Sequence, residues 1–432
     1  MLKTAIQICE ILQKNGFEAV FAGGTVRDKI LGIESSDIDI ATNAIPDQVE
    51  SLFEKTIPVG KSFGVIIVVI NNLEFEVATF RNDGQYSDSR RPDSISFSTM
   101  EEDAKRRDFT INGMFYDPIK NVTYDFVDGQ KDLEKKIIRF IGNSEQRITE
   151  DKLRMLRAIR FSCKLGFTIE ENSWNAIKKH SLEIELISKE RIAEEFVKIL
   201  RTGKYRRAIY YLIDTHLVSI IPEILRLQNC EQPIKWHPEG DVLQHTILAL
   251  ENLPEDASDE LKMATLLHDI GKPDKQTITN DIHFYGHELR GADIAKDILT
   301  RLKFSNDFID KVVYLIKNHM RIQQSKKMKS CTFKRMIAES YFSELLLLHR
   351  SDCLGSNGDI SSYKYIINRM NSIPEDQKMP KNLINGEDLK RLGFTSGPIF
   401  KEIIEAVKDE ILEGNITTKE QAEVFIINNF HS

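Results

Sequence analysis

A chain of 432 residues, of which 41% are hydrophobic and 29% are charged, can bury several cores and predicts about two to four domains. No apolar run reaches roughly 18 residues and the N-terminus lacks the regions of a signal peptide, so neither a transmembrane helix nor secretion is expected. The five cysteines are scattered and form no CxxC pair, which argues against a disulfide scaffold and a structural zinc site and favours a reducing cytoplasmic compartment. A net charge of −7 means that phosphate binding requires a local basic surface.

The first part of the chain, up to about residue 142, contains the segments that resemble strands. Val and Ile dominate residues 62–70, and Asn71-Asn72 can turn that segment back into a hairpin. A first strand is predicted to end at Gly23-Gly24, where a helix follows. The predicted strands are 17–22, 62–70, 73–80, 124–127 and 137–141.

The rest of the chain has helical periodicity almost to its end, with linkers predicted at 233–240 and 372–382. One continuous helix is predicted over 149–165, where apolar residues recur at helical spacing with arginines between them. From Arg147 to Arg207 the sequence has 15 Lys/Arg and 9 Asp/Glu, a local balance of +6. This stretch is the most basic candidate surface for a nucleic acid.

An acidic pair lies in a segment predicted to be a strand. Asp37 and Asp39 alternate with Ile38 and Ile40, so both carboxylates project from one face. Two adjacent carboxylates repel each other unless a cation lies between them, and Mg²⁺ binds such oxygens while it bridges to substrate phosphates. Glu76 is a candidate third acid. An isolated Asp-x-Asp is more often an ordinary solvent-facing strand, so the pair needs support from other motifs.

That support stands upstream, at the junction of the first strand and its helix. Gly23 and Gly24 let backbone amides approach a triphosphate, and Arg27 can donate to a phosphate oxygen in a forked geometry. A Gly-Gly pair alone is usually a tight turn. Gly-Gly-x-x-Arg-Asp followed about ten residues later by Asp-x-Asp resembles the active-site signature of polymerase-beta-type nucleotidyltransferases.

Further segments extend this resemblance over about the first 200 residues. Residues 106–113 resemble the second motif of the class II tRNA nucleotidyltransferases, the CCA-adding enzymes and their poly(A) polymerase relatives. Residues 149–161 and 188–195 resemble that family's base-recognition helix and neck. The resemblance implies an α+β fold with a mixed-sheet head and an all-helical neck, catalytic Asp37 and Asp39 with Mg²⁺, and tRNA, CTP and ATP as partners. It also implies that Arg107 contacts the nucleotide, while Asp108 and Asn112 shape the sugar site.

The base-recognition segment has a chemistry that can be argued from its residues. Glu150 and Asp151 share a helix face with Arg154, and Glu150 is a possible additional site residue. Asp151 can accept from the exocyclic amine of cytosine or adenine while Arg154 donates to the ring nitrogen, the role that the resemblance also implies for these two positions. Guanine and uracil present the opposite pattern, so the pair would act as a protein template for C and A. By resemblance, Arg157 and Arg160 lie near the nucleotide. The alternative is that Thr149 is a helix N-cap and the acids complement the helix dipole.

Residues 81–92 are polar and contain glycine, as in a mobile loop. In the family that the chain resembles, enzymes that add only CC lack much of this loop. Its presence therefore favours an activity that includes addition of the terminal A.

A second candidate site lies in the helical body. The order His245, His268-Asp269 and Asp352 resembles the HD superfamily of metal-dependent phosphohydrolases, which makes these four the implied ligands of a divalent transition metal. His287 and His319 are candidates for a second metal or the substrate. His237 and His283 are interpreted as structural. The final segment, from residue 383, also resembles the end of the CCA-adding family and is a candidate contact for the tRNA body, although it is not basic.

These observations predict four domains: a nucleotidyltransferase head (1–142), a helical neck with RNA binding (143–232), an HD domain (236–357) and a helical tail (358–432). The predicted function is addition of CCA to tRNA 3′ ends with release of pyrophosphate, accompanied by 3′-end phosphohydrolase activity in the HD domain. Three alternatives stay open. These are an A-adding enzyme with a separate CC-adding partner, an HD phosphohydrolase with a nucleotide-binding head, and an RNA-binding regulator without chemistry. A poly(A) polymerase is disfavoured because no HD domain is expected in one.

Overall fold

A computed structural model describes residues 1–34, 37–84, 94–373 and 383–430. The chain forms two compact units, Met1–Pro222 and Glu223–Ser432. Most of the predicted loop 81–92 and most of the predicted linker 372–382 lie outside the described residues, whereas 233–240 is irregular, as predicted. In the described ranges, no helix is long and apolar enough to cross a membrane.

A seven-stranded mixed sheet, as predicted, forms the head of the first unit. Its order is β3-β4-β5-β2-β1-β8-β9, and every pair is antiparallel except β2 with β5. Short pairs β6-β7 and β10-β11 lie outside it. The strands are β1 Ala19–Ala22, β2 Ile40–Thr42, β3 Thr56–Ile57, β4 Val65–Ile70, β5 Leu73–Thr79, β6 Arg81–Asp83, β7 Ile95–Phe97, β8 Met114–Asp117, β9 Val122–Asp125, β10 Ile137–Ile138 and β11 Thr168–Ile169.

Local sequence accounts for much of this sheet. The predicted hairpin is confirmed: Ile70 pairs with Leu73 across Asn71 and Asn72, whose φ angles of 54° and 61° fit the primed turn that hairpins favour. The last strand of the sheet begins and ends earlier than predicted. The Asp125 carboxylate accepts backbone N–H groups at 2.9–3.1 Å from the residues that follow it, which ends β9 in a turn.

In the part of the first unit that the structure describes, ten α-helices pack against the sheet or form the neck. The predicted helix over 149–165 is wrong near its N-terminal end, where Asp151 is extended (φ −147°, ψ 103°) and the helix begins only at Arg154. Its carboxylate accepts the N–H of Leu153 at 3.1 Å, a local bond that competes with the helix. Thr149 is not an N-cap, since its hydroxyl donates to Glu145 O within the preceding helix. The helices are α1 Leu2–Lys14, α2 Gly24–Ile30, α3 Pro46–Leu52, α4 Met100–Lys105, α5 Gly129–Lys135, α6 Ser144–Glu150, α7 Arg154–Leu165, α8 Glu171–His180, α9 Lys189–Leu200 and α10 Tyr205–Asp214.

In its described residues, the second unit is helical apart from a small hairpin, β12 Thr277–Ile278 with β13 Ile282–His283, which the sequence pattern did not predict. A Cβ on Gly355 would lie 2.6 Å from Ala249 N, so a glycine is required where two of its helices cross. The helices are α11 Val242–Glu251, α12 Asp259–Leu267, α13 Lys272–Lys275, α14 His287–Arg301, α15 Asn306–Asn318, α16 Ser330–Ile337, α17 Phe342–Gly355, α18 Ser361–Ser372, α19 Gly386–Arg391, α20 Pro398–Glu413 and α21 Lys419–Phe430. The last three enclose their own apolar cluster, which includes Leu389, Ile403 and Ile426.

Candidate functional site

A cleft of about 770 Å³ in the first unit gathers nearly all the site residues that the sequence predicted there. Glu150 is the exception: it does not line the cleft but contacts Arg154, which does. The predicted residues that line it are Gly24, Arg27, Asp37, Asp39, Glu76, Arg107, Asp108, Asn112, Asp151, Arg154, Arg157 and Arg160.

The acidic pair lies directly before β2. Asp37 and Asp39 are open to the cleft, whereas Ile38 and Ile40 are buried in the core, so the predicted alternation is confirmed. The strand itself begins only at Ile40. Backbone in extended conformation therefore presents both carboxylates on one side, as the argument from strand geometry requires.

Glu76 joins the pair through the sheet. Strands β2 and β5 are parallel with Ile40 opposite Val77, which sets Asp39 beside Glu76. Surrounding protein atoms desolvate the Asp39 carboxylate and raise its pKa, and the charge of Asp37 raises it further. Desolvation and the charge of Asp39 likewise raise the pKa of Glu76. Asp39 and Glu76, each with a pKa raised by a neighbouring carboxylate, form with Asp37 an oxygen donor set that suits a divalent cation such as Mg²⁺.

The Gly-Gly turn that opens α2 forms another wall. Gly23 has a φ of 63°, and a Cβ there would lie 2.9 Å from Nη1 of Arg107. The backbone conformation therefore favours glycine, and the guanidinium of Arg107 occupies the space that a side chain would take. Gly24, the first residue of α2, lines the cleft.

A buried polar chain connects the first and second sequence motifs. Arg27 donates to Asp28 at 2.8 Å and to Oδ1 of Asn112 at 2.7 Å. Asn112 donates to Asp108 at 3.1 Å, and Nε of Arg157 donates to the other oxygen of Asp108 at 3.0 Å. Burial opposes ionisation of Asp108, but the Arg157 guanidinium outweighs it and lowers the pKa to about 2. Asp108 thus holds Arg157 and Asn112 in place.

Three arginines surround one aromatic ring that the sequence analysis did not select. The guanidinium carbons of Arg27, Arg157 and Arg160 lie 5.2, 5.5 and 4.3 Å from the centroid of Phe161, which also lines the cleft. Arg160 is further fixed by Glu195 of α9, at 2.5 Å. The Phe161 ring and the Glu195 carboxylate thus hold guanidinium groups of like charge close together. Such a cluster of guanidiniums suits the binding of a polyanion.

The two residues of the predicted base template both line the cleft, but they are held by different partners. Arg154 donates to Glu150 at 2.6 Å and to Arg106 O at 3.3 Å. Asp151 accepts from Arg191 of α9 at 2.9 Å. Arg191 belongs to the segment that resembles the neck, yet its role as a partner of Asp151 depends on the packing of α7 on α9.

Asp103 is a supporting residue that the sequence analysis missed. It is 1% exposed and accepts from Arg106 at 2.7 and 2.9 Å and from Arg107 at 2.9 and 3.1 Å. These guanidiniums lower its pKa against the effect of burial. The available signal was the spacing of three and four residues to the two arginines that directly follow α4.

The second unit brings together the histidines and aspartates predicted for the HD site. Nε2 of His245 lies 3.2 Å from Nε2 of His268, 3.4 Å from Asp269 and 3.0 Å from Asp352. His268 Nε2 lies 3.2 Å from Asp269. On the other side, Asp269 lies 3.3 Å from His287 Nε2, which is 3.2 Å from His319 Nε2. Asp269 is therefore shared between two clusters of potential metal ligands.

Hydrogen bonds fix the orientation of these rings. In His268, His287 and His319, Nδ1–H donates to a backbone carbonyl three residues earlier at 2.7–2.8 Å. Nδ1–H of His245 donates to Glu239 at 2.9 Å. All four Nε2 atoms, the ones that face one another, are thereby left to coordinate a cation.

The electrostatics of this cluster also favour a cation. Burial opposes protonation of His245, but Asp352 and Glu239 raise its pKa to about 9, so the site stabilises positive charge. Burial and the neighbouring His268 lower the pKa of His319 to about 3, which keeps its ring neutral as a metal ligand must be. The donor set fits one or two divalent transition-metal ions.

Several residues around this cluster were missed or interpreted differently from sequence. The Glu239 carboxylate is hydrogen-bonded to Nδ1 of both His237 and His245 at 2.9 Å. His237, interpreted from the sequence as structural, therefore lies at the site. Lys272 contacts Asp269 at 2.7 Å. His283 stacks on the exposed Tyr285, and both border a cleft of about 680 Å³ that opens onto the cluster. The hairpin β12-β13, invisible in the sequence pattern, brings His283 there.

Three family models match consecutive parts of the chain. "Poly A polymerase head domain" matches residues 19–139. A model for an RNA- and SrmB-binding site of polymerase A matches 166–227, and one for domain 2 of tRNA nucleotidyltransferase matches 287–424. The first of these covers the acidic pair, the Gly-Gly turn and the second motif.

Similarity to known proteins extends over almost the whole chain. A protein of Ligilactobacillus salivarius named CCA-adding enzyme is 33% identical over 418 residues, which is 96% of this chain and 93% of that protein. The crystal structure of the Bacillus stearothermophilus CCA-adding enzyme in complex with CTP matches with a TM-score of 0.77 and 26% identity, covering 99% and 97% of the two chains. The Thermotoga maritima CCA-adding enzyme complexed with tRNA shares the fold at a TM-score of 0.60 and 21% identity, covering 100% and 95%.

Proposed function

The chain belongs to the family of CCA-adding enzymes, and on that premise we propose that it adds C, C and A to the 3′ ends of tRNA. It is a tRNA nucleotidyltransferase that uses CTP and ATP and releases pyrophosphate. The observation that carries the assignment is one cleft of the first unit in which the acidic group Asp37, Asp39 and Glu76 lies together with a set of arginines. This arrangement suits a nucleotidyl transfer, because the reaction needs an oxygen-ligated divalent metal and a cationic site for a triphosphate.

Asp37 and Asp39 are the proposed catalytic metal ligands, with Glu76 as the third acid. A divalent ion bound there, which we propose to be Mg²⁺, supplies activation of the attacking hydroxyl and neutralises charge on the leaving pyrophosphate. Arg27 and the other cleft arginines hold the triphosphate by charge-assisted hydrogen bonds. Because Asp28 and Asn112 already fix Arg27, little side-chain entropy is lost on binding.

Choice of nucleotide is proposed to lie with Asp151 and Arg154. The carboxylate accepts from an exocyclic amine and the guanidinium donates to a ring nitrogen, a pattern that C and A share. Arg191 holds the Asp151 carboxylate, and Glu150 holds the Arg154 guanidinium. Separate supports keep the two groups from neutralising each other, so both stay available to a base.

The full CCA reaction is favoured over addition of the terminal A alone. Relatives named CCA-adding enzyme align with 93–96% of their own length, with no large segment of this chain left over. The proposed division of labour follows the predicted domains: the head (1–142) binds nucleotide, the neck (143–232) selects it and binds RNA, and the tail (358–432) contacts the tRNA body. Free, scattered cysteines support a cytoplasmic location, where tRNA is processed.

Extension of three tRNAs, ending at the discriminator base, at C and at CC, tests this function at single-nucleotide resolution. Wild-type protein with Mg²⁺, CTP and ATP is expected to complete all three ends. Asp37→Asn and Asp39→Asn should abolish extension, whereas Glu74→Gln, a carboxylate of β5 outside the cleft, should not. Extension of the CC-ending tRNA alone would identify an A-adding enzyme, and full activity of the Asp variants would refute the metal assignment.

A second function is favoured by the cluster in the other unit. We propose that His245, His268, Asp269 and Asp352, with His287 and His319, hold divalent transition metal for hydrolysis of a phosphate at a damaged tRNA 3′ end. Convergent Nε2 atoms with fixed Nδ1–H donors support this. Metal analysis together with release of phosphate from a tRNA 3′-phosphate is the test. Absence of bound metal after Mn²⁺, Co²⁺ or Ni²⁺ loading would refute it.

A further inference from the structure

Thr25 stands between the Gly-Gly turn and the acidic pair. Its hydroxyl donates to the backbone oxygen of Asp37 at 3.1 Å and accepts the backbone N–H of Asp39 at 3.2 Å. The residue is 7% exposed and lines the cleft. One side chain therefore contacts the main chain of both proposed metal ligands.

We propose that Thr25 is a positioning residue that sets the separation of the Asp37 and Asp39 carboxylates for metal binding. This inference rests on the proposed nucleotidyl transfer. In this proposal, the Thr25 hydroxyl on α2 fixes the backbone between Asp37 and Asp39, where regular strand pairing has not yet begun.

The position of the acids makes such a clamp necessary. Residues 37–39 precede β2, whose ladder begins at Ile40, so regular strand pairing starts only after the pair. Asp39 O accepts from Ala22 N at 3.0 Å, which ties one side of Asp39 to β1. Thr25 ties the N–H side of Asp39, and with it the carbonyl of Asp37, to α2. Because Arg27 lies in the same helix, the metal ligands and the triphosphate site are connected through Thr25.

The matched control is Thr42, the last residue of β2, the strand that follows the acidic pair. Its hydroxyl donates to Glu18 O at 2.5 Å and accepts from Ala44 N at 3.1 Å, the same pattern of one donated and one accepted backbone bond. Thr42 is fully buried and does not line the cleft. Thr→Val at either position removes the same two bonds with little change of shape, so a purely structural effect should be alike in both.

The test compares Thr25→Val, Thr25→Ser and Thr42→Val in the full-length protein. Mn²⁺ binding is followed by electron paramagnetic resonance without nucleotide, and the component lost in Asp37→Asn defines the head site, which separates it from metal at the histidine cluster. Extension rates are measured against Mg²⁺ concentration, and urea unfolding reports stability. We expect Thr25→Val to weaken Mn²⁺ binding and raise the half-saturating Mg²⁺ concentration about tenfold, the scale of lost support for a metal ligand. Thr25→Ser and Thr42→Val should retain wild-type metal dependence.

Equal metal dependence of Thr25→Val and Thr42→Val would overturn the proposal and leave Thr25 a structural residue. If Thr25→Val does not fold, Thr25→Ala against Thr25→Ser gives the same comparison, and equal Mn²⁺ binding in that pair would also overturn it. Failure of the proposed function has a different signature: wild-type protein would not extend tRNA, or Asp39→Asn would remain active. The Mn²⁺ measurement still decides the role of Thr25 in that case.

Discussion

Replacing Asp103 with asparagine removes the buried negative charge that holds two arginines at the cleft. Asp103 accepts four bonds from Arg106 and Arg107 at 2.7–3.1 Å, and its own side chain is 2% exposed. Breaking a buried ion pair costs about 3–5 kcal/mol. Since the guanidiniums are 18% and 20% exposed, water recovers part of this loss, and we expect destabilisation of about 3 kcal/mol.

The same substitution should impair catalysis, because Arg107 loses the carboxylate that orients it beside the Gly-Gly turn. A loss of about 1.4 kcal/mol of binding in the transition state lowers kcat/KM about tenfold, which is the decrease we expect at least for CTP. The pKa of Asp103 is lowered in the folded state, so its ionisation stabilises the fold above the ordinary Asp pKa and that contribution fades as pH falls below it. The stability difference between wild type and Asp103→Asn should therefore shrink in acid.

Urea unfolding and steady-state extension with CTP measure the two effects. Asp117→Asn is the matched control, since Asp117 is 2% exposed and accepts bonds from Gln13, Ile119 and Lys120 but does not line the cleft. It should lose stability and retain kcat/KM at equal folded fraction. The reasoning is refuted if Asp103→Asn loses less than about 1 kcal/mol, or if its kcat/KM matches that of the control.

Three further outcomes are expected. Alanine at both Asp151 and Arg154 should let UTP and GTP be incorporated by removing the base template, and unchanged exclusion in an NTP competition assay would remove that argument. The pKa of Asp108, about 2 beside Arg157, makes its ionisation worth roughly 2 kcal/mol of stability; this should vanish between about pH 4 and pH 2, and Asp108→Asn should abolish that part of the acid titration. His268→Ala should lower the metal content measured by mass spectrometry while leaving nucleotide addition intact, and an unchanged metal content would argue against the histidine cluster.

Local sequence determined those features that depend on neighbours in the chain. Asn71-Asn72 specified a hairpin because asparagine tolerates positive φ, and the alternation of Asp37 and Asp39 with isoleucines specified which side chains face the cleft. The order of histidines and aspartates in the second unit, through its resemblance to the HD superfamily, likewise indicated which residues converge. In each case the prediction depends only on residue types and on their spacing along the chain.

Tertiary structure decided which partner holds each functional side chain. Asp151 interrupts the predicted helix and binds Arg191, 40 residues away, while Arg157 binds Asp108 across 49 residues. Neither pairing follows from periodicity, because it depends on how α7 packs against α9 and against the second motif. The role of Thr25 is likewise invisible in the sequence, since its hydroxyl meets backbone atoms 12 and 14 residues later only when α2 lies beside the acidic segment. Sequence spacing fixes directions within one element, whereas contacts between elements are set by the packing of the buried core.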